Sequence, residues 1–243
     1  MCGIAGFVND MPIDVKCPVL QRMTDMIAHR GPDSEGHYID EHAALGHRRL
    51  SIIDLGGGQQ PIYNEDGSKV ITFNGEIYNY QTLREELIAA GHTFTTKSDT
   101  EVLLHGYEQW GVDLLQRVRG MFTFVIWDKN KQELFGARDH FGIKPFYYAK
   151  MNGTFMYASE IKSLLRHPHF VKELNAEALK PYMTFQYPAI GETFFKGVYK
   201  LPEGHYFTYR DGKMDIHRYY DEDFREGKQK LGELVNSIDQ TVC

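Results

Sequence analysis

Cys2 stands directly after the initiator methionine and ahead of the apolar run Gly3, Ile4, Ala5, Gly6, Phe7 and Val8. If Met1 is removed, the chain begins with a thiol and a free α-amine on one residue. A free thiol titrates near pH ~8.5 and a terminal amine near ~7.7 to 8. Near neutrality part of the amine is therefore unprotonated and can accept the thiol proton, so no histidine partner is required. With Met1 in place the Cys2 nitrogen is an amide and that base is missing. Taken alone, Cys2 reads more readily as a small buried residue of a strand than as a nucleophile.

Other residues with chemical potential read less specifically. Asn74-Gly75 is a hairpin-turn signal as it stands. Gly56, Gly57 and Gly58 lack the spacing of a dinucleotide or P-loop fingerprint and read as a flexible loop. His167 and His169, around Pro168, read as loop residues rather than metal ligands. Cys2, Cys17 and Cys243 are too few and too scattered for a disulfide framework, and Cys17 and Cys243 are taken as incidental. A net charge of -6 with no basic cluster argues against nucleic acid and acidic membrane surfaces as partners.

The elements that must position these residues follow from periodicity. A chain of 243 residues, 42% hydrophobic and 25% charged, fits one large domain plus a short extension. No run approaches the ~18 apolar residues of a membrane span. The N-terminus has no basic leader, and Asn9 and Asp10 interrupt its apolar run, so the cytoplasm is the expected location. Helical spacing is found at Leu20, Met23 and Ile27, at Leu83, Leu87 and Ile88, and from Val102 to Trp110, the last with a capping box of Ser98 and Glu101. Strands are expected at 3–8, 50–53, 70–73, 121–127, 134–137, 146–148, 154–158, 193–198 and 206–209. Asp66-Gly67, Asn152-Gly153 and Asp211-Gly212 are short turns that suit hairpins, so the fold class is α+β with antiparallel sheets. Residues 221–230 are charged and without an apolar face, after which Leu231, Leu234, Val235 and Ile238 resume helical spacing. This tail is either a linker into a further domain or a docking C-terminal helix.

Five ordered blocks, CGIAGF, HRGPDSEG, HRRLSIIDL, FNGEIYN and SDTEV, together resemble the class II glutamine amidotransferase domain, an N-terminal-nucleophile hydrolase. The runs GMFTFVIWD, ARDHFGIKPFYY and ASEIKSLL are similar to the glutamine-hydrolysing asparagine synthetases in particular. The resemblance implies a four-layer αββα sandwich of two antiparallel sheets over residues 2–220, with Cys2 at the end of a central strand. Residues 221–243 would lead to a C-terminal synthetase domain, where ATP and Mg are expected. The Ser-Gly-Gly-x-Asp-Ser loop of that domain does not occur here. No cofactor or metal is expected in the glutaminase domain itself.

By the same resemblance Cys2 is the nucleophile toward L-glutamine, and the Asn74 side chain and Gly75 N–H form the oxyanion hole. Arg49, with Arg48 beside it as a decoy, takes the α-carboxylate of glutamine through its planar fork. Asp99 receives the α-ammonium and also sits where a helix cap would, with Glu76 assisting. Leu50 and Ile52 offer backbone contacts. The HRGPD segment is expected over the pocket with Arg30 near Cys2, although a plain helix end at Gly31-Pro32 explains it nearly as well. Two other readings stay open: an amidotransferase domain of the phosphoribosyl or glucosamine-phosphate synthase type, and a non-catalytic glutamine-binding module. A homodimer is among the states the sequence allows.

Overall fold

The structure is a computed structural model and describes residues 1–51, 57–187, 191–223 and 230–242. The layering follows from side-chain alternation along β1 (Gly3–Val8). Ile4 points into one apolar layer while Ala5 and Phe7 point into another, because successive strand residues face opposite sides. β1 is flanked by β3 (Ala43–Arg49) and β9 (Thr154–Ala158), both antiparallel to it. With β2 (Ser34–Ile39), β8 (Tyr147–Met151) and β10 (Val198–Lys200), the described residues give a six-stranded sheet ordered β10-β8-β9-β1-β3-β2.

A second six-stranded sheet has the order β12-β11-β7-β6-β5-β4. Its strands are β4 (Ile62–Tyr63), β5 (Lys69–Ile77), β6 (Gly120–Asp128), β7 (Glu133–Arg138), β11 (His205–Arg210) and β12 (Lys213–Arg218). Ile4, Leu45, Val125, Trp127, Phe155 and Phe207 fill the seam between the sheets. On the outer face of the first sheet, α1 (Ile13–Asp25) and α5 (Ile161–Leu164) lay Leu20, Met23 and Leu164 over Phe7, Ala44 and Met156. On the second, α2 (Tyr80–Ala89), α3 (Asp99–Trp110) and α4 (Leu114–Arg117) lay Leu83, Val102 and Leu114 over Ile71, Phe73 and Phe122. The expected αββα sandwich is the fold observed. α6 (Leu179–Phe185) and α7 (Leu231–Val242) complete the helices, and Leu231, Val235 and Ile238 of α7 are exposed.

The three short turns join β4 to β5, β8 to β9 and β11 to β12 as expected. Several boundaries differ. The strand expected at 50–53 is instead β3, which ends at Arg49, where its pairing with β1 and β2 runs out. Residues 52 and 53 lie outside those described. β2, β3 and β12 escaped notice because Ser, Glu, Gly, His, Arg and Lys blur their alternation. In the 193–198 segment only Val198 is in a strand, and Thr193 N–H instead bonds the Val198 carbonyl at 2.8 Å across a turn. The capping box at α3 is half formed. Ser98 Oγ accepts from Glu101 N–H at 3.4 Å, but the Glu101 carboxylate accepts from Thr95 and Thr96 N–H, each at 2.7 Å, instead of reaching Ser98. No helix of the described residues is long and apolar enough to cross a membrane.

Candidate active site

Cys2 immediately precedes β1, on the strand face that Ile4 turns toward the second sheet. The Leu50 N–H donates to its Sγ at 3.4 Å, and the thiol lies 3.6 Å from the Leu50 carbonyl. Arg30 Nε donates to the Cys2 carbonyl at 2.9 Å, so the HRGPD segment does lie against the cysteine. Gly31 is required there: a Cβ would stand 2.3 Å from the Arg48 carbonyl, so this loop lies flat on the end of β3. Burial pushes the Cys2 thiol up, opposed by the Leu50 hydrogen bond, the positive chain terminus and Arg49.

The facing wall comes from β5, where Asn74-Gly75 is strand and not turn. Asn74 is 1% exposed, and its Nδ2 has no hydrogen-bond partner among the described residues. A buried amide donor left unpaired costs about 1–3 kcal/mol, so a donor held free of the other described residues is suited to an acceptor that enters the cavity. Beyond the short β4, the edge of β5 turns alternate amides outward. Phe73 N–H donates to Gln60 Oε1 at 2.6 Å and Ile77 N–H to Asp99 Oδ2 at 3.0 Å. The intervening Gly75 faces the same edge, because its partner Phe122 uses its own N–H and carbonyl on Asp139. A side chain at Gly75 would put Cβ 2.3 Å from the Met121 carbonyl. His47, fully buried in β3, sits 3.0 Å through Nε2 from the Phe73 carbonyl and ties the two sheets beside Asn74. Burial pushes its pKa down to about 3, so it is neutral and Nε2 carries the proton.

Charge of both signs closes the pocket. Arg49 at the end of β3, Glu76 in β5 and Asp99 at the start of α3 line it together with Cys2, Leu50, Asn74 and Gly75. Arg49 and Asp99 are 6% and 5% exposed. Burial pushes Asp99 up to about 6, against the Ile77 hydrogen bond, and Glu76 adds to the rise. Every described site residue expected from the sequence is thus brought to one cavity; Ile52 lies outside the described residues.

Two wall residues were missed. Gln60 spans from the Phe73 amide to Thr100 Oγ1 at 3.2 Å, locking β5 to α3. Lys144 is 4% exposed, and its Nζ lies 3.2 Å from Met1 Sδ. Burial lowers its pKa, with Arg30 adding to the effect. Asp139 places Lys144 by accepting from the amides of Phe141, Ile143 and Lys144 at 2.9–3.1 Å, while Arg138 Nε holds the Lys144 carbonyl at 2.7 Å. The signal was the Arg-Asp pair inside an apolar block, where buried charges must serve some polar backbone.

Among solved structures, the fold matches a Bacillus subtilis glutamine phosphoribosylpyrophosphate amidotransferase complexed with ADP and GMP. The TM-score is 0.65 at 17% identity, over 91% of this chain and 50% of that one. A second structure, titled as an allosteric regulatory enzyme of purine biosynthesis, matches with a TM-score of 0.66 at 19% identity over the same shares. These likenesses define the fold class. The chain belongs to the glutamine amidotransferase domain family, which it matches over residues 1–220. Asparagine synthetase [glutamine-hydrolyzing] 1 of Bacillus subtilis is 44% identical over 100% of this chain and 39% of its own length. Amidase chry2 of Gibberella zeae is 37% identical over 91% of this chain and 34% of its own. The chain therefore spans little more than a third of the length of these relatives.

Proposed function

We propose that this domain hydrolyses the side-chain amide of L-glutamine and passes ammonia to an ATP-dependent synthetase domain for asparagine formation. The observation that carries the reading is the buried Asn74 Nδ2, without a hydrogen-bond partner among the described residues, in the same cavity as the Cys2 thiol. Removal of Met1 frees the Cys2 amine, which takes the thiol proton. The thiolate attacks the amide carbon, and Asn74 Nδ2 and Gly75 N–H donate to the oxyanion. The tetrahedral intermediate collapses as the amine returns its proton to the departing ammonia, leaving a γ-glutamyl thioester. Water, activated by the same amine, then releases glutamate. Lys144 and Arg49 add positive charge that favours the thiolate over the thiol.

Substrate selection follows from pairing the zwitterionic end of glutamine. Arg49 takes the carboxylate, and Asp99 with Glu76 takes the ammonium, because an unpaired ion inside the cavity would cost several kcal/mol. Leu50 contributes backbone contact beside the thiol. The 44% identity to a glutamine-hydrolysing asparagine synthetase supports the asparagine branch over other ammonia acceptors. In this reading residues 2–220 form the glutaminase domain, residues 221–243 lead toward the synthetase domain, and the protein works in the cytoplasm. The test is trapping: chain lacking Met1, given glutamine and hydroxylamine, should yield γ-glutamyl hydroxamate in a Cys2-dependent manner. Glutamine that raises the melting temperature without any turnover would instead assign a binding module.

A further inference from the structure

Apart from the residues that line the catalytic cavity, three distant segments bring together Glu65, His92, His105 and Glu108, with ligand atoms all within 4.8 Å of one another. His105 and Glu108 share a face of α3 at i, i+3 spacing. Glu65 comes from the β4–β5 turn, and His92 follows α2. His105 Nδ1 lies 3.0 Å from Glu108 Oε2 and 3.5 Å from Glu65 Oε2, and His92 Nδ1 lies 3.6 Å from Glu65 Oε1. Ligands at 2.0–2.1 Å around a tetrahedral cation stand about 3.3 Å apart. The observed spacings bracket that value.

The far nitrogens give an independent indication. His92 Nε2 lies 3.2 Å from Gln109 Oε1. His105 Nε2 is buried without a hydrogen-bond partner among the described residues, 3.7 Å from Glu101 Oε1. Glu101 is itself 1% exposed and anchored by the amides and hydroxyls of Thr95 and Thr96 at 2.6–2.9 Å. Each imidazole turns Nδ1 inward, and His92 holds Nε2 against the Gln109 oxygen behind it, the arrangement that orients and strengthens a metal-bound histidine, while His105 Nε2 faces Glu101 from beyond hydrogen-bond distance. Glu65 is 42% exposed and leaves a path for entry. We propose that these four residues bind a divalent cation of the zinc type, two nitrogens and two carboxylates favouring zinc over magnesium or calcium. The ion would pin the β4–β5 turn and the α2–α3 connection to the helix that carries Asp99.

The test uses untagged chain in a Cys2→Ala background, so that the catalytic thiol does not compete, stripped with chelator and titrated with Zn²⁺ and Mg²⁺ by calorimetry and thermal melting. One equivalent of Zn²⁺ should bind and raise the melting temperature, and Mg²⁺ should do neither. Glu65→Gln, at the open side of the cluster, should keep the metal-free melting temperature, and both it and His92→Gln should weaken Zn²⁺ binding at least tenfold. Substituted Co²⁺ should show the intense visible bands of tetrahedral coordination. Failure of Zn²⁺ to bind, or binding in either variant as tight as in the Cys2→Ala parent, would overturn the assignment.

Discussion

Replacing Asp99 by Asn should stabilise the protein while damaging its recognition of glutamine. The carboxyl is nearly inaccessible, and burial raises its pKa from 3.8 to about 6. That rise, about two pH units at 1.36 kcal/mol each, means the fold at neutral pH carries about 3 kcal/mol of penalty for holding the charge. Asn is isosteric, keeps an oxygen for the Ile77 amide and carries no charge. For a chain of this size about 2–4 °C per kcal/mol is expected, so the melting temperature should rise by about 6–12 °C at pH 7.

The sign is fixed by linkage. Below pH 3.8 the carboxyl is neutral whether folded or unfolded, so Asp99 costs nothing there. Between 3.8 and about 6 the unfolded chain ionises first and the penalty grows, and above 6 it is constant. The gap between variant and parent should therefore close on acidification. His47, whose lowered pKa acts oppositely and weakens the fold as pH falls below about 6.5, is common to both proteins and cancels in the difference. Melting curves from pH 3.5 to 8, with and without glutamine, provide the assay. A variant that melts lower than the parent at pH 7, or a gap that ignores pH, would refute the burial argument. Glutamine should protect the parent and not the variant.

Asn74→Ala should lower kcat by ~10² to 10³ with little change in KM, read in a glutamate-release assay, since the lost donor acts on charge that develops only during reaction. Arg49→Lys should raise KM for glutamine more than it lowers kcat, because an ammonium cannot reproduce bidentate contact; equal KM values would remove Arg49 from the carboxylate site. Gly75→Ala places a methyl 2.3 Å from the Met121 carbonyl and should cost about 1–3 kcal/mol in denaturant unfolding.

Much of this architecture was legible in the chain, and the exceptions have physical causes. Leu83, Leu87 and Val102 to Tyr107 announce α2 and α3 because one face of each is packed on the second sheet. β3 is hidden because it lies at the centre of the site. Its His47 and Arg49 are buried polar groups, His47 set against the Phe73 carbonyl of the other sheet, so a strand read by apolar alternation slides onto Leu50 and the residues after it. Asn74-Gly75 looks like a turn by local preference, and only the pairing of Gly75 with Phe122 makes it strand. Gln60 and Lys144 act through contacts far along the chain, with the Phe73 amide and with Met1, which periodicity does not encode. The Glu65, His92, His105 and Glu108 cluster is likewise assembled from three segments whose proximity follows from the packing of α2 and α3 on β5.

Catalysis by this domain depends on a free Cys2 amine acting on the thiol beside it. Mass spectrometry can follow a diazo-ketone analogue of glutamine on chains that lack or retain Met1. The trimmed chain should take one equivalent, mapped to Cys2, and the untrimmed chain should stay unlabelled. Label on another residue, or equal labelling of both forms, would contradict the mechanism.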